Sequence, residues 1–218
     1  DGMAIVFVSH RMEEIFRLCV AVTVLRDGRH VATQKISGTN HDALIHQMVG
    51  REVVAITPVW PNLTAQPIIL GARLRCVALQ PQANGAWTLD LPALLAAITP
   101  RTRQVFIANP NNPTGTLVGQ EAIDRFMDKV PEHVLVIFDE AYHEFLDTAP
   151  DTLKFVREGR NVLVMRTFSK IQGLANLRIG YGLTTKEIAE VLQKTRQPFN
   201  ANGIAQAGAL AGLRDEEH

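Results

Sequence analysis

The fold is decided by the stretch Asn161-Val-Leu-Val-Met-Arg-Thr-Phe-Ser-Lys170-Ile-Gln-Gly-Leu-Ala-Asn-Leu-Arg178-Ile-Gly-Tyr-Gly182. Its apolar, β-prone opening predicts a buried strand over residues 162–165. A lysine just after a buried strand costs free energy unless it has a partner or a covalent role. An imine between Lys170 and an aldehyde cofactor is the covalent role that fits. Thr167, Ser169 and Arg178 offer the hydroxyls and the cation that a phosphate group requires.

Upstream of this stretch, predicted strands alternate with predicted helices. The strands are expected at 51–56, 72–79, 104–108 and 134–138, and the helices at 64–70, 89–98, 121–129 and 153–158. This alternation predicts βαβ units, so we expect an α/β fold with a mixed, mainly parallel sheet flanked by helices. Ligands bind at the carboxyl ends of such strands. Asn112, Asp139 and Lys170 each follow the end of a predicted strand.

The polar residues expected at this edge suit pyridoxal phosphate as the aldehyde cofactor. A carboxylate such as Asp139 keeps the ring nitrogen protonated, so that the ring acts as an electron sink. Asn112 and Tyr142 are donors for the phenolic oxygen. Trp60 is the candidate for a flat apolar neighbour of the ring. Lys170, once released by a substrate amine, is placed to carry a proton.

Three motifs carry a resemblance to a known family. They are Asn109-Pro-Asn-Asn-Pro-Thr-Gly115, Asp139-Glu-Ala-Tyr142 and Ser169-Lys-(x)7-Arg178-Ile-Gly-Tyr181. Together they resemble the fold-type I pyridoxal-phosphate-dependent aminotransferases, over residues 52–218. From about residue 95 the chain is similar to the histidinol-phosphate aminotransferases, whereas residues 52–94 look more like aspartate-type class I enzymes.

The resemblance implies a role for each matching residue. It makes Lys170 the Schiff-base lysine, Asp139 the partner of the pyridine nitrogen, and Trp60 the stacking aromatic. The phenolate contacts are Asn112 and Tyr142, and the phosphate contacts are Thr167, Ser169 and Arg178. A purely structural role stays open as the alternative for every one of them. We assign packing or solvation to His143, Glu144 and Tyr181.

Residues 1–51 resemble a different family. The pattern predicts strands at 4–8, 20–25 and 30–36, helices at 11–18 and 42–49, and a hairpin turn at Asp27-Gly28. The segment is similar to the C-terminal end of a sugar-importer-type ABC transporter ATPase, in which His10 stands where a histidine contacts the nucleotide. No G-x-x-x-x-G-K-[ST] phosphate loop occurs in the 218 residues, so we expect no ATPase activity.

We therefore predict two domains, an ATPase-like fragment over 1–51 and a truncated aminotransferase large domain over 52–218, with a possible second boundary near Leu94. The aminotransferase family also has a helix whose N-terminus receives the cofactor phosphate, and residues 37–40 imitate such a loop. Its substrate-gripping small domain has no match, and Arg214 does not replace the arginine there. The chain begins at Asp1 rather than Met, which is typical of a fragment or a processed product. The two resemblances together indicate a natural fusion or an engineered chimera.

These observations predict a pyridoxal-phosphate-binding protein that is incomplete for catalysis. The resemblance implies transamination between L-histidinol phosphate and 2-oxoglutarate, in histidine biosynthesis, with an amino donor and a 2-oxo acid as partners. It also implies a homodimer. The alternatives are an inert scaffold, expected to melt cooperatively without a shift by the cofactor, and a nucleotide-binding remnant that depends on His10.

Composition limits the remaining possibilities. Basic and acidic residues number 22 each, so the charge balance favours neither nucleic acid nor an anionic membrane as a partner. Two cysteines form neither a disulfide framework nor a metal spacing, which indicates a reduced, cytoplasmic setting without a bound metal. The apolar runs are too short for a membrane span, so we expect no membrane insertion.

Overall fold

The computed structural model describes residues 6, 8, 11–26 and 29–215. Its N-terminal part contains helix α1 (Met12–Leu18), strands β1 (Ala21–Arg26) and β2 (Arg29–Lys35), and helix α2 (His41–Val49). The two strands pair antiparallel, with Arg26 opposite Arg29, as the hairpin prediction requires. Helix α2 packs against both strands. His10, Asp27 and Gly28 lie outside the described residues, and only Val6 and Val8 of the predicted strand at 4–8 are described.

The rest of the chain contains the remaining strands and helices. The strands are β3 (Glu52–Thr57), β4 (Arg73–Ala78), β5 (Gln80–Pro81), β6 (Trp87–Thr88), β7 (Thr102–Ala108), β8 (Leu135–Asp139), β9 (Val162–Thr167) and β10 (Gly180–Thr184). The helices are α3 (Asn62–Ile69), α4 (Leu91–Ala96), α5 (Gln120–Met127), α6 (Leu153–Arg157), α7 (Lys186–Thr195) and α8 (Gly203–Arg214). Each strand predicted beyond residue 50 is therefore present, with ends that differ by a few residues.

One six-stranded sheet has the order β10-β9-β8-β7-β3-β4. Five of its strands are parallel to one another, namely β4, β3, β7, β8 and β9, and β10 runs antiparallel to β9. The prediction of a mixed, mainly parallel sheet is confirmed. The hairpin β1–β2 forms a separate sheet, as does the short pair β5–β6.

The main core lies between this sheet and helices α4, α5 and α6. Strands β8 and β9 are almost wholly apolar, as expected for strands buried on both faces. Residues that are fully buried there include Leu94 of α4, Phe126 of α5 and Phe138 of β8. Burying one such side chain contributes about 1.5–3 kcal/mol, so this layer fixes the sheet to its helices.

Two local details differ from the sequence prediction. Helix α4 begins at Leu91 rather than 89, because the Asp90 carboxylate accepts a hydrogen bond from the Ala93 amide at 2.9 Å and caps the helix. Strand β10 had not been predicted. Its Gly182 lies so close to Leu163 that an added Cβ would be 2.9 Å from the leucine Cδ1. Glycine therefore permits β10 to pair with β9, although its weak β propensity hides this strand from a sequence prediction.

At the amino edge of the sheet, Glu52 is 2% exposed although it is charged. Arg75 Nε donates to its Oε2 at 2.9 Å, Thr99 Oγ1 donates to the same oxygen at 2.7 Å, and Arg101 Nη2 lies 3.0 Å from Oε1. Burial pushes the pKa of Glu52 upward, but the hydrogen bonds from Thr99 and Arg75 and the charges of the arginines outweigh it, so that the pKa is lowered. This cluster joins β3, β4 and the turn before β7.

Candidate functional site

The carboxyl ends of β3, β7, β8 and β9 meet at one edge of the sheet, where parallel strands place their ligands. Asn112 follows β7, Asp139 is the last residue of β8, and Lys170 comes three residues after β9. The structure therefore brings the three central predicted residues to the same edge. This agreement follows from the strand order, because β7, β8 and β9 are direct neighbours.

The loop that carries Asn112 is held in place by its other asparagines. Asn109 is 4% exposed, and its side chain both donates to the Val118 carbonyl at 3.0 Å and accepts from the Val118 amide at 2.8 Å. Asn111 donates to the carbonyl oxygen of Pro58 at 2.9 Å. These hydrogen bonds satisfy both polar atoms of the Asn109 side chain and the amide nitrogen of Asn111, and they tie the loop that carries Asn112 to Pro58 and Val118.

Asn112, Tyr142 and Lys170 form the centre of the site. Asn112 Nδ2 donates to the Tyr142 hydroxyl oxygen at 3.2 Å. The hydroxyl proton of Tyr142 is thereby left free to donate elsewhere. Lys170 Nζ lies 4.8 Å from the centroid of the Tyr142 ring, within the range of a cation–π contact. Because the lysine is exposed, its amine is accessible to a small molecule.

The carboxyl group of Asp139 lies close enough to Lys170 to feel its charge. Burial raises the pKa of Asp139, while the Ala141 amide, which donates to Oδ1 at 3.2 Å, and Lys170 lower the pKa. The negative charge of Glu140 raises it further. The net direction of the pKa shift is upward, so a cation beside this carboxyl group favours its anionic form.

The three predicted phosphate ligands line one cavity of ≈ 460 Å³ between β9, β10 and α7. Thr167 Oγ1 accepts a hydrogen bond from the Ser169 amide at 3.1 Å, which turns the chain after β9. Arg178 has a left-handed backbone with φ 53°, which is uncommon for a residue with a side chain. Its guanidinium donates to the Ala175 carbonyl at 2.8 Å and is otherwise exposed. The cavity thus brings together the three predicted phosphate ligands, and Arg166 and Tyr181 also line it.

A second cavity of ≈ 350 Å³ lies beside Tyr142. Asn112, Tyr142, Phe145 and Leu146 contribute to its wall. Trp60 belongs to the lining of neither cavity among the described residues, and its indole is 50% exposed. The loop before Trp60 is nevertheless tied to this edge, because Pro58 accepts the hydrogen bond from Asn111. Its stacking role remains a prediction.

The loop at residues 37–40 has internal partners. Asn40 Oδ1 accepts a hydrogen bond from the Ala43 amide at 2.8 Å, so the N-terminus of α2 is capped by the chain itself. Thr39 Oγ1 accepts from Gln34 Nε2 at 3.2 Å. The suggestion that this loop binds a phosphate gains no support from these contacts.

Sequence reasoning missed a buried ion pair directly beside the site. Glu140 is 2% exposed, and two nitrogens of Arg166 donate to its Oε2, Nε at 3.0 Å and Nη2 at 2.9 Å. Thr152 Oγ1 donates to Oε1, and His143 Nδ1 lies 3.3 Å from Oε2. His143, which we had assigned to packing or solvation, therefore contacts a buried carboxylate. A signal was present, since Arg166 interrupts the apolar strand that pairs with the strand before Glu140.

The described ranges contain neither a metal-binding cluster nor a membrane-spanning helix. Residues 11–26 and 29–215, with Val6 and Val8, contain no group of three or more His, Cys, Asp or Glu side chains arranged to hold a metal ion. Within the same ranges, no helix has both the length and the apolar composition needed to span a bilayer.

Comparison with known proteins agrees with this geometry. The model of the family "Aminotransferase class I and II" matches residues 16–218. The histidinol-phosphate aminotransferase of Akkermansia muciniphila is 64% identical over 132 residues, which cover 61% of this chain and 36% of that protein. The histidinol-phosphate aminotransferase of Moorella thermoacetica is 48% identical over 172 residues, 78% of this chain and 43% of the relative.

Solved structures show the same relationship. The histidinol-phosphate aminotransferase of Sinorhizobium meliloti, solved with pyridoxal-5'-phosphate, matches with a TM-score of 0.67 and 34% identity. The match covers 80% of this chain and 48% of that one. The chain thus spans less than two thirds of the relatives that it matches.

Proposed function

The chain belongs to the class I and II aminotransferase family, and from this premise we propose that it binds pyridoxal phosphate covalently through Lys170. The observation that carries the proposal is the group formed by Asn112, Tyr142 and Lys170, with Asp139 beside it. When bound, the cofactor supplies an electron sink for the amino-bearing carbon of a substrate.

The donor set fits this cofactor. Burial raises the pKa of Asp139, and a protonated ring nitrogen is a cation that suits this carboxyl group. The free hydroxyl proton of Tyr142 and the second amide hydrogen of Asn112 suit a phenolate oxygen. Trp60 is half exposed in the loop that Asn111 ties to this edge, so we keep it as the proposed stacking residue.

Thr167, Ser169 and Arg178 complete the proposed site as phosphate ligands. They share one cavity, and Arg178 has solvent-accessible donors for an anion. The remaining role is that of Lys170, whose Nζ attaches the cofactor and afterwards holds the proton that moves to or from the reacting carbon. Each residue thereby binds, orients or transfers a proton at a stated group.

For the reaction, we propose descent from a transaminase acting on L-histidinol phosphate and 2-oxoglutarate. Two relatives with that name share 64% and 48% identity with the matched part of the chain. The chain spans 36% and 43% of their lengths, so the reaction itself is a proposal for this chain. An inert scaffold is the competing proposal.

Titration with pyridoxal phosphate tests the first proposal. We expect a visible absorbance band that disappears in Lys170→Ala and survives in Lys194→Ala, a matched change of an exposed lysine on α7. Borohydride reduction followed by peptide mass spectrometry should place the label on Lys170. A band of equal size in Lys170→Ala, or a thermal melt that the cofactor does not shift, would contradict the proposal and favour the inert scaffold.

We also propose a domain boundary near Arg51. It is supported by the sheet topology, since β1 and β2 form their own sheet and the six-stranded sheet begins with β3. The ABC-ATPase resemblance of residues 1–51 stays a prediction, and the family match beginning at residue 16 includes most of that segment. Loss of saturable ATP binding in His10→Ala would support a nucleotide-binding remnant. A homodimer and a cytoplasmic location likewise remain proposals.

A further inference from the structure

Glu140 occupies an unusual position, because it is a buried carboxylate next in sequence to a second carboxylate that the cofactor requires. It follows Asp139 at the end of β8, and its backbone amide donates to the Met165 carbonyl of β9 at 2.9 Å. Burial raises the pKa of Asp139, and the negative charge of Glu140 raises that pKa further. A cation paired with Glu140 offsets this charge.

Arg166 supplies that cation from the neighbouring strand. Its Nε and Nη2 both contact Oε2 of Glu140, at 3.0 and 2.9 Å, and its side chain is only 15% exposed. Arg166 precedes Thr167, the first proposed phosphate ligand, and contributes to the lining of the same cavity. The pair thus joins the segment that carries Asp139 to the segment that carries the phosphate ligands and Lys170.

We propose that the Glu140–Arg166 ion pair is a positioning pair for the cofactor site: Arg166 offsets the charge of Glu140 beside Asp139 and ties the segment of Asp139 to the segment that carries Lys170. The inference rests on the proposed function. In this role the pair acts through Asp139 rather than through a contact with the cofactor. The other groups that face this cluster are His143 and Thr152 on Glu140, and Tyr142 and Lys170 on the Asp139 side.

The direct test is the titration of Asp139 in the protein without cofactor, followed by ¹³C NMR of its side-chain carboxyl carbon. Arg166→Met should shift the midpoint upward, because Glu140 then lacks its cation. Glu140→Gln should shift it downward, and the double variant should lie between the two. Arg166→Lys, which retains the charge, should restore a midpoint close to that of the parent chain.

Cofactor affinity gives a second readout. We expect the dissociation constant of pyridoxal phosphate to rise about tenfold in Arg166→Met, within the range that contacting residues show in double-mutant cycles, and to recover in Arg166→Lys. Arg75→Met is the matched control, since it removes an arginine from the other buried glutamate, Glu52, at the opposite edge. It should change neither the Asp139 midpoint nor the affinity.

The outcomes separate the two proposals. If no variant or parent chain binds the cofactor, the proposed function fails, and the Asp139 titration still decides the coupling. A folded Arg166→Met with an unchanged Asp139 midpoint overturns the positioning role. If Arg166→Met does not fold, Glu140→Gln decides alone, because an unchanged midpoint in that variant overturns the role equally.

Discussion

Two buried glutamates lie at opposite edges of the same sheet. They have the same kinds of partner but different numbers of arginines around them. Each is 2% exposed, and each accepts hydrogen bonds from a threonine hydroxyl and from an arginine on a neighbouring strand. Glu52, at the amino edge, has Arg73, Arg75 and Arg101 around it. Glu140, at the carboxyl edge, has Arg166 and the histidine His143.

The difference shows how one kind of ion pair serves two purposes. At the amino edge the arginines are at least 33% exposed, so that they cover the carboxylate and remain hydrated, and the cluster fixes β3 to its neighbours. At the carboxyl edge a single, mostly buried arginine balances a carboxylate that adjoins Asp139. We therefore expect the loss of one arginine to cost less stability at the amino edge than at the carboxyl edge.

The largest expected effect follows from that contrast. Arg166→Met leaves Glu140 buried without its cation, which should lower the free energy of unfolding by about 3–5 kcal/mol. Urea denaturation of the full chain measures this loss. The double variant Glu140→Gln/Arg166→Met should recover most of it, because no unpaired charge remains. A loss in Arg166→Met no larger than that in Arg75→Met would remove the distinction between the two edges.

The second prediction concerns the amino edge. Glu52→Gln removes the charge that Thr99 and Arg75 bind, so we expect a loss of about 1.5–3 kcal/mol, the usual range for hydrogen bonds to charged groups. The dissociation constant of pyridoxal phosphate should stay as in the parent chain. The same denaturation and titration experiments check both values. Weaker cofactor binding, at a temperature where the variant is folded, would contradict a purely structural role.

Sequence patterns were sufficient for much of this edge. The alternation of apolar strands and helices predicted the parallel strands, and the strand ends predicted where Asn112, Asp139 and Lys170 meet. Pattern alone gave no account of Glu52 or Glu140, because a charged residue inside or beside an apolar run does not reveal its partner. Their partners come from distant positions, Thr99 and Arg101 for one and Thr152 and Arg166 for the other, and only strand order brings them together.

The sequence pattern also did not predict strand β10 or the cavity at Arg178. Two glycines in Gly180-Tyr-Gly182 lower the β propensity, so the antiparallel pairing depends on close packing against β9 that a sequence does not display. The hydroxyls and the arginine were identified as a phosphate set by residue type. In the structure they line one cavity, and no local pattern indicated either that cavity or the left-handed backbone at Arg178.

A smaller effect is expected from the neutral hydrogen bond between Asn112 and Tyr142. Tyr142→Phe removes the acceptor and should cost about 0.5–1.5 kcal/mol of stability, since water replaces it at a partly exposed position. Thr99→Val, which removes a hydroxyl from a carboxylate at the amino edge, should cost more. Only Tyr142→Phe should also weaken cofactor binding. Equal losses in unfolding experiments would show that charge does not decide the difference.

The smallest expected effect is a gain in stability rather than a loss. It distinguishes the two edges by the pH dependence of the free energy of unfolding. Asp139 has a raised pKa in the folded chain, so the cofactor-free protein loses stability as the pH rises from the unfolded value of about 3.9 through the folded one. Asp139→Asn removes this loss and keeps an acceptor for the Ala141 amide, so it should stabilise the cofactor-free chain at neutral pH by less than Tyr142→Phe destabilises it.

Glu52 behaves inversely. Its lowered pKa contributes stability above the unfolded value of about 4.3, and this contribution is lost as the pH falls through the folded pKa. Thermal melts between pH 3 and 8 check both carboxyl groups. The stability of Asp139→Asn relative to the parent chain should increase toward neutral pH, and the stability difference between Glu52→Gln and the parent chain should shrink toward acid pH. Parallel curves for all three chains would mean that neither carboxyl group changes its proton affinity on folding. In that case the carboxyl edge would hold no electrostatic cost for a cofactor to relieve.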